Sequence, residues 1–228
     1  MNPTTAAPSS ASRTVLLAGA SGLVGREILK LLLDDESVMA VHSLGRRALP
    51  LEHPKLTQHT VDFSALPALP KVDEAFIALG TTIKVAGSQQ AFRAVDYEAV
   101  VAVARAAQAA GATRLGVVSA MGADTKSTLF YNRIKGDTEQ TLKDLKFASL
   151  VIARPSFLAG DREALGQPLR SGEKLALNLS RRLAFLIPPN LRSIDVRKVA
   201  RALVDGVHAG AKGTRVILSG GMQRIKLT

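Results

Sequence analysis

A chain of 228 residues, 46% of them hydrophobic, can bury one large core and needs no second independent domain. It has no cysteine, which excludes disulfides, thiolate metal sites, iron–sulfur clusters and a cysteine nucleophile, and suits a reducing cytoplasm. The formal charge of +11 is concentrated late, with 14 Lys and Arg against 5 Asp and Glu over residues 154–228; such a surface attracts anions, but few aromatics and no recognisable nucleic-acid motif point away from a nucleic-acid partner.

The first twelve residues are small and polar, without the apolar stretch of a secretory signal, and read as a disordered tail. No later segment is long enough to cross a bilayer. Short apolar runs then alternate with helical stretches. Strands are expected near Thr14–Ala18, Met39–Leu44, Leu56–Val61, Glu74–Leu79, Leu115–Ser119, Ser149–Ala153 and Thr214–Leu218. Between them, helices are expected over Arg26–Leu33, from Tyr97 to Ala110 with a stop at Gly111, over about Ser127–Leu145, and from Val196 to Val207 behind the candidate N-cap Ser193. Ala159 to Asn190 is rich in Gly and Pro and reads as an irregular cover over the substrate side. This order predicts an α/β fold of Rossmann type, a doubly wound parallel sheet with helices on both faces, as a single domain over 13–228.

The first strand runs into Gly19-Ala20-Ser21-Gly22-Leu23-Val24-Gly25 and a helix follows at once. Glycines there allow a sharp turn and close approach of a pyrophosphate, which the N–H groups of the helix start attract. The alternative is a tight turn of small residues; the coincidence of strand, glycine spacing and helix favours the phosphate site. About twenty residues on, where a carboxylate would meet the ribose 2′-hydroxyl of NAD, stand Arg46 and Arg47. Two guanidiniums suit a 2′-phosphate and favour NADP(H) over NAD(H), the alternative being exposed loop arginines. Asp62-Phe63 and Leu79-Gly80-Thr81 fall at the same carboxyl edge of the sheet, with Asp62 a candidate for the adenine amino group.

Tyr131 stands four residues before Lys135, so the two share a helix face. A nearby ammonium favours the phenolate, which would let Tyr131 exchange a proton with a carbonyl or alcohol oxygen. The pair is a weak signal alone and gains weight from its position. Ser119, at the end of the fifth strand, is a candidate to orient the substrate oxygen, with a turn-capping serine as the alternative. His42, His53, His59 and His208 lack an acid pair or metal-ligand spacing, so no metal site is expected.

Taken together, GASGLVG, LGRR, ALGTT, VVSAMGAD, YNRIK and ARPSFLAGDRE resemble the atypical short-chain dehydrogenase/reductases, in particular the Tat-interacting protein 2 group and its bacterial relatives. The likeness runs from about Arg13 to near the end of the chain. It implies a Rossmann-type NADPH binder in which Tyr131 and Lys135 match the active-site tyrosine and lysine. Ser21, Gly22, Leu23, Val24, Arg46, Arg47, Leu79 and Gly80 match cofactor-contacting positions, and Arg154-Pro155 matches a dipeptide near the nicotinamide. The expected function is an NADP(H)-dependent oxidoreductase acting on a small-molecule carbonyl or alcohol. The alternative is an NADP(H)-binding regulatory or redox-sensing protein with little activity.

Overall fold

The computed structural model describes residues 12–159, 188–190 and 192–227. The expected N-terminal tail, Ser12 apart, and most of the expected irregular cover from Ala159 to Asn190 lie outside these residues. Seven strands form one parallel sheet: β1 Arg13–Ala18, β2 Val38–Gly45, β3 Leu56–Thr60, β4 Glu74–Ile77, β5 Arg114–Val118, β6 Ser149–Arg154 and, last in the chain, β9 Gly213–Leu218. Their order is β3-β2-β1-β4-β5-β6-β9, so the winding reverses between β1 and β4. A ligand crevice opens at such a reversal because the connections leave on opposite faces. A short parallel pair, β7 Leu158–Ala159 with β8 Ile194–Asp195, lies beside the main sheet.

Alternation along the strands divides the core in two. Val15 and Leu17 of β1 pack with Phe76 against helix α1, Leu23–Asp34, and helix α6, Val196–His208, through Ile28, Leu32, Leu203 and Val207. Leu16, Ala18 and Ile77 face the other way, onto Val103 and Ala107 of α4, Val100–Ala109, and Leu142 of α5, Phe130–Asp144. Each fully buried aliphatic side chain contributes roughly 1.5–3 kcal/mol, so both layers are substantial.

The helix expected from Tyr97 begins earlier. Two short helices, α2 Ile83–Ala86 and α3 Gln89–Arg93, lead into a π-helical turn over Ala94–Ala99, from which α4 continues. The cap of α6 is also corrected. Ser193 is not the N-cap; Asp195 is, its carboxylate accepting from Arg197 N–H at 2.9 Å. The backbone stays extended through Asp195 because β8 pairs with β7, so the helix starts only after that pairing ends. A five-residue helix, α7 Ser219–Gln223, follows β9.

One reading of the histidines needs correction. His42 on β2 and His59 on β3 stand 3.0 Å apart, Nδ1 to Nε2. His208, at the end of α6, does have an acid pair: it lies 3.4 Å from Asp35 and 3.2 Å from the buried Glu74, which also meets Arg114 at 2.8 Å. Glu74 begins β4, so this cluster sits at the sheet edge opposite the crevice.

Candidate cofactor cleft and active site

A cleft of about 520 Å³ opens at the carboxyl ends of β1, β2 and β4. Gly19, Ser21, Gly22, Arg46, Arg47, Asp62, Phe63, Leu79 and Gly80, all singled out in the sequence, line it. The three glycines of the turn after β1, Gly19, Gly22 and Gly25, have different reasons to be there. Gly19 takes φ +94°, and a Cβ on it would fall 2.6 Å from the Ala78 carbonyl; a Cβ on Gly25 would fall 2.0 Å from the Gly19 oxygen. These two are required by the fold itself, as they let α1 start against the ends of β1 and β4.

Gly22, the N-cap of α1, has ordinary backbone angles, and a Cβ there would meet only the Gly19 oxygen at 3.4 Å and the Ala78 oxygen at 3.9 Å. The protein has room for a side chain at this position, and glycine leaves that room open toward the cleft. The neighbouring amides of Leu23, Val24 and Gly25 belong to the first turn of α1 and have no acceptor within the helix. A bare backbone concavity at a helix start, with two exposed arginines lining the same cleft, fits the phosphates of a dinucleotide. Asp62 folds back to accept from Ser64 N–H at 2.9 Å, which holds its carboxyl below the ordinary range.

Tyr131, Lys135, Thr81, Ser119, Arg154 and Pro155 are not part of the cleft wall. Lys135 reaches the cleft edge nonetheless, since a Cβ on Gly80 would lie 3.8 Å from its Nζ and 3.5 Å from Asp96 Oδ1. Lys135 and Asp96 form an ion pair of 2.6 Å with side-chain exposures of 7% and 0%. Asp96 belongs to the π-helical turn; its other oxygen accepts from Thr81 N–H at 2.9 Å, and its carbonyl accepts from the Thr138 hydroxyl of α5 at 2.9 Å. The sequence reading missed Asp96. The signal was present, because Asp96 stands at helical spacing in front of Ala99, Val100 and Val103, an acid at the head of an apolar stripe.

The tyrosine behaves differently from expectation. Its ring packs 5.4 Å from that of Phe92. Burial pushes the phenol up, Lys135 pulls it down and Asp96 pushes it up again, with a net position above the ordinary value of about 10. The expected lowering by Lys135 is therefore outweighed by desolvation.

Ser119 lies just past β5, and its hydroxyl donates to Glu139 Oε1 at 2.5 Å. Arg154 donates to both oxygens of the same carboxylate, at 2.9 and 2.7 Å. Glu139, only 2% exposed on the inner face of α5, was also not singled out in the sequence. Pro155 follows β6, and its carbonyl accepts from Met121 N–H at 3.0 Å, tying the Ser119 turn to the sixth strand.

Comparison with known proteins agrees with this geometry. A family described as NAD(P)H-binding matches residues 19–175. "Protein FMP52, mitochondrial" of Coccidioides immitis is 33% identical, covering 94% of this chain and 92% of that protein. "Protein HTATIP2" of Rattus norvegicus is 33% identical, covering 91% of this chain and 86% of its own. Among solved structures, MoeE5 in complex with UDP-glucose and NAD superposes with a TM-score of 0.66 at 18% identity, over 90% of this chain and 75% of that one. A short chain dehydrogenase family protein from Francisella tularensis gives 0.66 at 13% identity, over 94% and 100%. With a candidate dinucleotide cleft at the β1/β4 reversal and relatives matched over most of their length, the chain belongs to the NAD(P)H-binding atypical short-chain dehydrogenase/reductases, alongside HTATIP2 and FMP52.

Proposed function

We propose that this protein is an NADP(H)-dependent oxidoreductase acting on a small-molecule carbonyl or alcohol, with Tyr131 as the group that exchanges a proton with the substrate oxygen. The observation that carries this reading is the place of Gly80, which lines the dinucleotide cleft and also lies against the Lys135–Asp96 pair. Nucleotide and proton-handling residues thus meet at one turn.

Gly22 and the first turn of α1 would hold the pyrophosphate, and Arg46 and Arg47 the 2′-phosphate. Bound there, the nicotinamide supplies or accepts a hydride. Lys135, held at the Gly80 turn, would meet the ribose beside the nicotinamide. Tyr131, protonated at neutral pH, would donate its phenol proton to a carbonyl oxygen during reduction. The direct test is a screen of aldehydes, ketones and quinones with NADPH. Oxidation of NADPH that depends on added carbonyl supports the reading; none across the three classes overturns it.

A second reading, a cofactor-bound regulator with little turnover, draws on two contacts: the Lys135 charge is engaged by Asp96, and the Ser119 proton by Glu139. Tight NADPH binding without turnover would favour it. Among the described residues no helix is long and apolar enough to cross a membrane. We assign the chain to the cytoplasm because a chain without cysteine suits a reducing compartment; the FMP52 relatives are named mitochondrial.

A further inference from the structure

Lys135 cannot be treated as a free cation beside Tyr131. Its Nζ sits 2.6 Å from Asp96 Oδ1, and both groups are almost wholly out of water. Asp96 is itself fixed from two sides, by the Thr81 amide on its carboxylate and by the Thr138 hydroxyl on its carbonyl. Its position on a π-helical turn widens the helix there and brings the carboxylate beneath the Gly80–Thr81 edge.

We propose that Asp96 is a positioning residue: it holds the Lys135 ammonium against the Gly80–Thr81 turn and, as that cation's counter-charge, opposes its field at the Tyr131 phenol. The inference rests on Tyr131 and Lys135 being the proton-handling pair.

The charged groups that bear on the phenol are Lys135, from its own helix, and Asp96, from the neighbouring turn. The nearby aromatic partner Phe92 carries no charge. Glu139 lies further along α5, with its charge engaged by Arg154. The phenol therefore senses chiefly one cation and one anion of opposite effect, the cation's being the larger. Removing the anion alone should make the phenol more acidic, removing the cation alone should make it less acidic, and removing both should leave it between these two.

The chain has two tyrosines and no tryptophan, so the phenol can be followed cleanly. In a Tyr97→Phe background, Tyr131 is replaced biosynthetically by 3-fluorotyrosine, which titrates at lower pH than tyrosine, and its fluorine resonance is followed against pH without cofactor. Asp96→Asn should lower the midpoint by about one unit or more, Lys135→Met should raise it, and the double variant should fall between the two single variants. Should Asp96→Asn fail to fold with its lysine unpaired, the step from Lys135→Met to the double variant removes the same carboxylate without orphaning an ammonium, and that step should also be downward. A midpoint that Asp96→Asn leaves in place or raises, or single-variant shifts of the same sign, would overturn the proposal. The titration needs neither cofactor nor substrate. A failed titration thus removes the role of Asp96 alone, while an absence of carbonyl-dependent NADPH oxidation removes the proposed activity alone.

Discussion

The Ser119 hydroxyl donates its hydrogen bond to Glu139 across 2.5 Å, so in this arrangement the serine has lone pairs to offer a ligand but no free donor. A serine that donated to the substrate oxygen would be essential to turnover. Ser119→Ala should instead lower kcat by less than about tenfold, while Glu139, losing one donor but keeping Arg154, should cost about 1 kcal/mol of stability. In a chain of this size that is about 2–4 °C in melting temperature. A loss of activity as large as that of Tyr131→Phe would return the serine to direct contact with the substrate.

Arg46 and Arg47 are both exposed on the cleft wall and flank the 2′ position of a bound adenosine in the proposed mode. Water screens them, so a modest share of charged hydrogen-bond energy is expected: about 1.4 kcal/mol, a factor of ten in Kd. Calorimetry should find NADPH bound at least about tenfold more tightly than NADH, and Arg46→Ala with Arg47→Ala should erase the difference while leaving NADH affinity nearly unchanged. Equal affinities in the parent chain would remove the NADP(H) assignment.

Gly22 and Gly25 separate a ligand's requirement from the fold's. Gly22→Val adds a side chain where the protein has room, so the melting temperature should hold while NADPH affinity falls at least a hundredfold. Gly25→Ala puts a methyl 2.0 Å from the Gly19 oxygen and should destabilise the chain before any cofactor is added. Thermal melts beside calorimetric titration distinguish the two, and normal NADPH binding by Gly22→Val would move the phosphate site elsewhere.

What could be read in the sequence was what depends on near neighbours along the chain. The strand, the glycine turn and α1 fall within about twenty consecutive residues, and the Tyr131–Lys135 spacing is one helical turn. Asp96 heads an apolar stripe that is visible in the sequence, but its role and that of Glu139 were missed because their partners, Lys135 and Ser119, come from other elements, and only the fold brings them within reach. The π-helical turn also broke the 3.6-residue rhythm on which the helix expected from Tyr97 depended. Tyr131 was assigned the wrong direction of shift for a related reason. Its lysine is visible in the sequence, whereas the burial against Phe92 and the anion behind the lysine are not.

His42 and His59 set a pH dependence of stability. Burial, and then the charge of His59, hold the His42 imidazole below its ordinary value near 6.5. The unfolded chain therefore takes up this proton more readily than the folded one. The contribution is complete above about pH 6.5 and is lost as the pH falls through that value toward the folded one. Melting temperature should drop between pH 7 and 5, and His42→Gln should flatten that part of the curve. An unchanged slope in the variant would show that the histidine pair does not govern it.

The last prediction concerns Tyr131 and the direction of the chemistry. Phenylalanine keeps the ring against Phe92 and removes only the hydroxyl, so Tyr131→Phe should leave NADPH affinity near normal while turnover falls by about two to four orders of magnitude. Lys135→Met should differ, weakening cofactor binding as well as turnover, because the lysine lies at the Gly80 turn of the cleft and also bears on the phenol. The raised phenol adds a sign. Reduction of a carbonyl needs Tyr131 protonated, which it is throughout the neutral range, so the reductive rate should be flat from pH 6 to 9. Oxidation of the corresponding alcohol needs the phenolate and should climb about tenfold per pH unit over the same range, since the ionised fraction rises by that factor below the midpoint. Full activity in Tyr131→Phe would remove the tyrosine from the reaction. An oxidative rate that levels off near neutral pH would mean instead that, with cofactor bound, Lys135 does lower the phenol despite Asp96.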